Sequence, residues 1–137
     1  MNYKLLLLTY VAFFIISCDD ESCYRPRNCY NTEPDEADLV INLSINNENP
    51  SVDITVYKGD YEENEVVTTF STSKTTEVLS LPEGRYSATA LYNSGSKQIL
   101  AVDGDRISIT HWTCDDSSGY VSDECYEVEH GEIDLTL

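Results

Sequence analysis

Basic residues are scarce in this chain, which contains 8 Lys and Arg against 25 Asp and Glu and has a formal net charge of -17. Binding to nucleic acid requires clustered Lys and Arg, because these side chains neutralise the phosphates. Docking on anionic lipid requires a basic patch in the same way. The charge balance therefore argues against both nucleic acid and an anionic lipid surface as partners.

The chain also lacks an apolar segment long enough to span a bilayer. Its longest apolar run, residues 5–16, is shorter than the roughly 20 residues that a transmembrane helix needs. The run follows Lys4 and has the length of the apolar region of a signal peptide. We therefore predict that residues 1–17 are a signal peptide, and the remaining length suits one domain.

The apolar run ends in Ile15-Ile16-Ser17-Cys18, a small residue followed by a cysteine. This string resembles the lipobox of bacterial lipoproteins. The resemblance implies cleavage before Cys18, diacylglycerol in thioether linkage to that cysteine, and acylation of the new N-terminus. This lipid would anchor the protein to the membrane, and no other cofactor is expected. An ordinary secretory signal that happens to have a cysteine near its end is the alternative.

Three acidic residues, Asp19, Asp20 and Glu21, follow the cysteine directly. They resemble the surface-export signal of Bacteroidetes-type lipoproteins, which implies display on the outer face of the outer membrane. In enterobacteria an Asp beside the cysteine would instead favour the inner membrane, and a solvated acidic leader is the simplest alternative. A protein facing the periplasm is the other location considered.

The four other cysteines are an even number, as expected for disulfides in an exported protein; they are Cys23, Cys29, Cys114 and Cys125. Three connectivities exist, and closeness in sequence favours Cys23–Cys29 with Cys114–Cys125. A zinc site is the alternative, but its ligands are usually spaced more closely. We therefore expect two disulfides.

The pattern of the chain changes near residue 38. Residues 18–37 contain Pro26 and Pro34 without hydrophobic periodicity, which is typical of a tether. From residue 38 to 137 apolar residues recur at every second position, as in half-buried strands, and no segment has helical periodicity. Strands are predicted at Val66–Thr72 and Thr76–Leu81. Tyr86, Ala88, Ala90 and Tyr92 are predicted to share one face of a later strand, and Asn93-Ser94-Gly95-Ser96 to close a hairpin onto the next. Asp103-Gly104-Asp105 is predicted to be a turn between two strands. These features predict an all-β domain, an antiparallel sandwich of seven to nine strands.

One string carries a more specific resemblance. Leu81-Pro82-Glu83-Gly84-Arg85-Tyr86-Ser87-Ala88-Thr89-Ala90 resembles the Leu-Pro-x-Gly-x-Tyr-x-x-x-Ala hairpin of prealbumin-like (Ig-like) sandwiches, among them carboxypeptidase-regulatory-like and Cna-B-like domains. Pro and Gly would make the corner, and Tyr86 and the alanines would face the core. The resemblance implies a prealbumin-like sandwich over residues 38–137, similar to small lipid-anchored sandwich proteins of Bacteroidetes.

Catalytic patterns associated with this fold are missing. One prealbumin-like branch hydrolyses hydroxyisourate and ends in Tyr-Arg-Gly-Ser, whereas this chain ends in Ile133-Asp134-Leu135-Thr136-Leu137. The lysine of self-crosslinking Cna-B domains also has no counterpart, because Lys58 begins a polar loop. The chain contains no Gly-x-Ser-x-Gly, His-Glu-x-x-His or phosphate-loop motif. We therefore expect that the protein is not an enzyme.

Three groups of side chains could still carry a function. His111 and His130 could join carboxylates in a metal site, although half-buried structural histidines are commoner. Acidic residues could supply oxygen ligands to calcium, although solvated loops explain them equally; the candidates are Asp103, Asp105, Asp115 and Asp116, with Asp123 and Glu124 nearby. Aromatic residues could form a surface on which glycans stack, although core packing is commoner; they are Tyr57, Tyr61, Trp112, Tyr120 and Tyr126.

These observations favour a surface-exposed lipoprotein that acts as a non-catalytic binding or accessory module for a protein or glycan partner. The sequence leaves two alternatives open. One is a structural envelope or pilus-associated subunit that assembles through strand edges. The other is a small hydrolase that depends on His111 or His130. A monomer is expected for the leading hypothesis.

Overall fold

The computed structural model describes residues 25–115 and 121–137, which are almost entirely β-strand. The predicted signal peptide, Cys18, the acidic residues that follow it, Cys23, Asp116 and Tyr120 lie outside the described residues. The strands are β1 (Cys29–Tyr30), β2 (Ala37–Leu43), β3 (Val52–Lys58), β4 (Val66–Thr72), β5 (Thr76–Leu81), β6 (Gly84–Ser94), β7 (Lys97–Asp115), β8 (Val121–Glu129) and β9 (Gly131–Leu135). The described residues contain one short 3₁₀ turn, Tyr61–Glu63, and no α-helix. They therefore include no helix long and apolar enough to cross a membrane.

The strands form two sheets, which confirms the all-β prediction and a sandwich-like arrangement. The larger sheet has six strands in the order β1-β8-β7-β6-β3-β4, and the smaller has three in the order β5-β2-β9. All pairs are antiparallel except β2 with β9, which run parallel. The parallel pair differs from the purely antiparallel sandwich expected, because the last strand returns to the small sheet beside β2.

The core lies between the sheets and follows the alternation of apolar residues. Apolar side chains at every second position of β2, β3 and β9 are buried. The prediction that Tyr86, Ala88, Ala90 and Tyr92 share one buried face is confirmed, since each is at most 3% exposed. The main cluster comprises Ala37, Leu39, Ile41, Leu43, Val52, Ile54, Val56, Tyr86, Ala88, Ala90, Tyr92, Ile107, Val128, Ile133 and Leu135.

The tyrosines near the two ends of β6 form hydrogen bonds with backbone groups through their hydroxyls. The Tyr86 hydroxyl donates to the carbonyl oxygen of Pro82 at 2.9 Å, and the Tyr92 hydroxyl accepts from the amide of Ser44 at 3.1 Å. Burial raises the pKa of both phenols. Both rings therefore fill the core while their polar tips are satisfied at its margins.

The hairpin from β6 to β7 forms where Asn93-Ser94-Gly95-Ser96 predicted it. Its two turn residues are Gly95 and Ser96, and Ser94 pairs with Lys97. Gly95 has a φ of 61°, a conformation that glycine adopts without steric cost and that two-residue hairpin loops require. The turn joins the two longest strands of the larger sheet.

The prediction of a turn at Asp103-Gly104-Asp105 is wrong, because β7 runs unbroken from Lys97 to Asp115. Gly104 lies opposite Ser87, and a Cβ there would approach the carbonyl oxygen of Tyr86 to 2.9 Å. Glycine is therefore needed for close strand packing rather than for a turn. The two flanking carboxylates accept hydrogen bonds from β9, Asp105 from the amide of Glu132 at 2.7 Å and Asp103 from the amide of Asp134 at 2.8 Å.

One disulfide joins β1 to β8, between Cys29 and Cys125, with Cα atoms 5.5 Å apart. The preferred pairing of Cys23 with Cys29 and of Cys114 with Cys125 is therefore wrong. β1 pairs with β8, with Cys29 opposite Glu127, and so forms one edge of the larger sheet near the beginning of the described residues. Cys114 is also disulfide-bonded, and because Cys29 and Cys125 bond to each other, its partner lies outside the described residues.

Candidate binding site

The outer surface of the larger sheet is the face turned away from the core. Ala88 and Ala90 point into the core, so the residues between and beside them, Ser87, Thr89 and Leu91, point outward. Leu91 lies opposite Leu100, and Thr89 lies opposite Val102. We call this surface the open face; it consists of Asp53, Thr55, Tyr57, Arg85, Ser87, Thr89, Leu91, Leu100, Val102, Gly104 and Arg106. Ser87 and Thr89 are buried within it, and the exposed Asp53 lies opposite Leu91.

The middle of the open face is apolar. Leu91 and Leu100 are 42% and 53% exposed, and Val102 beside them is also exposed. Opposed residues of antiparallel strands have Cβ atoms about 4.5–5.5 Å apart, so the two leucines form a contiguous aliphatic pair. Single exposed apolar residues are ordinary, whereas a contiguous group on a flat sheet favours contact with another molecule.

A loop brings two tyrosines together at one end of the open face. The ring of Tyr57, on β3, lies 6.5 Å from that of Tyr61 in an edge-to-face arrangement. The loop folds back because Gly59, with a φ of 75°, donates its amide to the carbonyl oxygen of Arg85 at 2.8 Å. The short 3₁₀ turn that carries Tyr61 is thereby held against the beginning of β6.

Two arginines lie at this same end. Arg85 on β6 and Arg106 on β7 are directly opposite each other in the register, and both are exposed. A guanidinium nitrogen of Arg85 is 3.4 Å from a carboxylate oxygen of Asp60. Like charges directly opposite on neighbouring strands are unfavourable. Two cations are therefore held side by side in this acidic chain, with Asp60 beside Arg85 and with Glu62 and Glu63 in the adjoining 3₁₀ turn.

Ser87 lies between the tyrosines and the strand centre and is buried, although it points toward the open face. It is opposite Tyr57 on one side and opposite Gly104 on the other. Its hydroxyl has no hydrogen-bond partner among the described residues. An unpaired buried hydroxyl is energetically unfavourable. This end of the open face therefore contains a buried polar group whose hydrogen bond is not made within the described residues.

The predicted aromatic surface is divided between two places. Tyr57 and Tyr61 belong to the open face, whereas Tyr126 packs against His111, with ring centroids 5.0 Å apart. Trp112 is opposite Cys125 and His111 is opposite Tyr126, so Trp112 and Tyr126 point to opposite sides of the β7–β8 ribbon. The sequence identified the tyrosines of the open face but not the arginines, which only the strand register brings together.

The two histidines have separate partners. His111 Nε2 is 3.6 Å from a carboxylate oxygen of Glu124, and His130 Nδ1 accepts the amide of Asp38 at 3.1 Å. Within residues 25–115 and 121–137, no group of three or more His, Cys, Asp or Glu side chains is arranged to hold a metal ion. The structure thus gives each histidine a local role in a strand or at its end.

Those candidate calcium ligands that the structure describes are not arranged to hold a metal ion either. Asp103 and Asp105 are used by the β9 amides, and the Asp115 side chain and Asp116 lie outside what the structure describes. Asp123 pairs instead with Arg25, at 3.4 Å, beside β1. Side chains alternate in direction along a strand, and this alternation turns Asp103 and Asp105 toward the other sheet. It could have indicated that these two residues bond to β9 rather than to calcium.

No family model, curated protein or solved structure matches this chain. What the molecule does must therefore be inferred from the residues of the open face.

Proposed function

We propose that the protein is a non-catalytic, lipid-anchored binding module that holds an acidic protein partner on its open face. The fold proposed for it is a prealbumin-like sandwich, supported by the corner at Pro82 and the buried Tyr86. The lipid would be attached at Cys18, and the acidic residues after it favour the cell surface, with the periplasmic side as the alternative.

The observation that carries this proposal is the pairing of Arg85 with Arg106 beside Tyr57 and Tyr61. Tyrosine and arginine are the residue types that recur at the energetic centres of protein interfaces, whereas Lys and Glu are depleted there. A partner that places carboxylates over the two guanidinium groups would relieve their mutual repulsion. It would also match the only pair of opposed cations in the described registers of the larger sheet.

A protein is favoured over a glycan because the site continues along a flat face. The aliphatic pair Leu91–Leu100 and the neighbouring Val102 extend the surface away from the tyrosines. Glycan stacking would use Tyr57 and Tyr61 but would leave this apolar group uncovered. A protein partner would cover both the charged end and the apolar middle.

Protein and glycan arrays probed with the full chain test this proposal. We expect acidic proteins among the binders, and we expect the double variant Arg85→Glu/Arg106→Glu to bind them at least about tenfold more weakly. Arg27→Glu is the matched control, because Arg27 is exposed and lies outside the open face. Binding to glycans alone, equal loss in the control variant, or no binder in either array would refute the proposal.

A structural subunit that assembles through strand edges is the second candidate. It is favoured by one specific observation, the exposed and uncharged edge strand β4. Light scattering of the purified full chain separates the two candidates, because a mass that increases with concentration without limit indicates open-ended assembly. A single closed state is expected for a binding module.

A further inference from the structure

Edge strands expose unpaired backbone amides and carbonyls, and most edges of this protein are protected. On the larger sheet, β1 is only two residues long. On the smaller sheet, β9 donates its outer amides to Asp103 and Asp105, and β5 contains the charged Glu77. Short length, charged side chains and capping are the usual ways in which proteins prevent edge-to-edge pairing.

The remaining edge, β4, is neither short, charged nor capped; its one irregularity is a bulge at Val67, where the register with β3 shifts. Its seven residues, Val-Val-Thr-Thr-Phe-Ser-Thr, include no charge, proline or glycine. Five of the seven are β-branched, and Val66 and Val67 are 52% and 40% exposed. A strand of this composition at a sheet edge is expected to pair with another strand.

The charges that flank β4 indicate which strand would pair with it. Glu65 immediately precedes β4, and Lys74 follows it closely; the Lys74 side chain is 73% exposed although its amine lies 3.3 Å from the carboxylate of Glu77. If two copies of β4 pair antiparallel about Thr69, Val66 lies opposite Thr72 and Lys74 lies opposite Asn64, beside Glu65 of the other copy. Twofold symmetry creates this complementary contact twice, whereas parallel pairing in register would align Glu65 with Glu65.

We propose that two copies of this chain associate through β4, antiparallel and centred on Thr69, so that the two larger sheets become continuous. This dimer replaces the monomer expected from the sequence. The axis is perpendicular to the joined sheet, so both open faces are presented on the same side. The proposal does not depend on what the open face binds.

Cysteine substitution in the full chain, exported by a bacterial host that forms its disulfides, tests the dimer. Residue 69 of one copy would lie opposite residue 69 of the other, with Cα atoms about 4.5–5.5 Å apart, which a disulfide can span. We expect Thr69→Cys to give a covalent dimer on non-reducing gels, about tenfold more abundant than with Val78→Cys. Val78 is a matched control because it is exposed on the edge strand of the other sheet.

A second pair of variants tests the direction and register. Antiparallel pairing about Thr69 places Val67 opposite Ser71, so co-expressed Val67→Cys and Ser71→Cys chains should crosslink with each other. Val67→Cys alone should not, because the two copies of residue 67 are about 13 Å apart along the strands. Crosslinking of Val67→Cys alone, or equal crosslinking of Thr69→Cys and Val78→Cys, would overturn the proposal.

A charged variant provides the readout without crosslinking. Thr69→Lys places two like charges opposite each other at the axis, and we expect it to halve the mass measured by light scattering. An unchanged dimer mass in this variant would contradict the proposal. Binding of the array partner by monomeric Thr69→Lys, measured in parallel, distinguishes failure of the dimer from failure of the open-face site.

Discussion

At the scale of single residues, Asn49 shows how a buried amide replaces a missing strand neighbour. Its side chain donates to the carbonyl oxygen of Asn93 at 3.0 Å and accepts the amide of the same residue at 2.7 Å. These are the two bonds that an opposing strand residue would make. Asn49 thus continues the pairing of β6 beyond the beginning of β3, and its own amide donates to Asn46 at 2.8 Å.

Glu77 provides a pH-dependent contact at the connection between β4 and β5. The Thr72 hydroxyl donates to its carboxylate and, with a smaller contribution from Lys74, holds the pKa of Glu77 below its ordinary value of 4.5. A lowered pKa in the folded state adds stability above about pH 4.5, and this stability is lost as the pH falls below that value.

We therefore expect Glu77→Gln to lower the free energy of unfolding at pH 7 and to have progressively less effect as the pH falls toward 3. Urea unfolding midpoints of the wild type and the variant across this range measure the difference. Thr72→Val should remove most of the pH-dependent difference and Lys74→Met less of it, because the hydroxyl is the larger cause. A difference independent of pH would show that the carboxylate charge is not involved.

At the scale of elements, the strand alternation in the sequence predicts most of the fold. β4 and β5 have the predicted bounds, and the buried face of β6 is the predicted one. The continuity of β7 could not be predicted, because Asp103-Gly104-Asp105 has the composition of a turn. What keeps it extended is tertiary: β9 presents amides that need acceptors, and Gly104 lets the backbone of β6 approach.

Only part of the candidate site could be predicted from the sequence, because the rest depends on tertiary structure. The tyrosines could be identified because aromatic residues carry a signal of their own. Arg85 and Arg106 are 21 positions apart and gain meaning only when the hairpin register sets them opposite each other. Disulfide pairing also depended on tertiary structure, because closeness in sequence favoured Cys114 as the partner of Cys125, whereas the β1–β8 pairing brings Cys29 to it.

The two aspartates that accept hydrogen bonds from β9 should contribute more to the stability of the fold than their exposure suggests. Replacing both Asp103 and Asp105 by Ala leaves the outer amides of β9 to water, and we expect a loss of about 1–3 kcal/mol, since hydrogen bonds to charged groups exceed neutral ones. Urea unfolding measures the loss, and amide hydrogen exchange should accelerate at Glu132 and Asp134. Asp35→Ala, at an exposed position outside the sheets, should change stability by less than about 0.5 kcal/mol.

At the scale of the whole molecule, one covalent bond joins residues 96 positions apart and ties the beginning of the described chain to β8. Beside it, one terminal nitrogen of the Arg25 guanidinium donates to the side-chain oxygen of Asn31 at 2.8 Å, and the other lies 3.4 Å from a carboxylate oxygen of Asp123. Part of the segment predicted as a tether is therefore a short strand of the larger sheet.

Peptide mapping under non-reducing conditions should recover a Cys29–Cys125 peptide that disappears on reduction. The double variant Cys29→Ser/Cys125→Ser should lose about 2–5 kcal/mol, because the bond closes a long loop in the unfolded chain. Recovery of a Cys114–Cys125 peptide from the unreduced protein would contradict this connectivity. A Thr32→Ala variant, at an exposed position outside the strands, serves as the reference for the unfolding measurement.

The position of this bond also determines how the molecule responds to mechanical tension. If the protein is anchored at Cys18 and holds a partner on its open face, as proposed above, displacement of that partner by flow or by a moving cell pulls on the chain. A two-residue strand such as β1 would peel away under a small force, because its few hydrogen bonds would break in succession. The Cys29–Cys125 bond instead holds β1 to β8 when those hydrogen bonds break, beside a second disulfide at Cys114 on β7. Tension between anchor and partner would thus be confined to one sheet, and the three-stranded sheet would remain outside the path of the force.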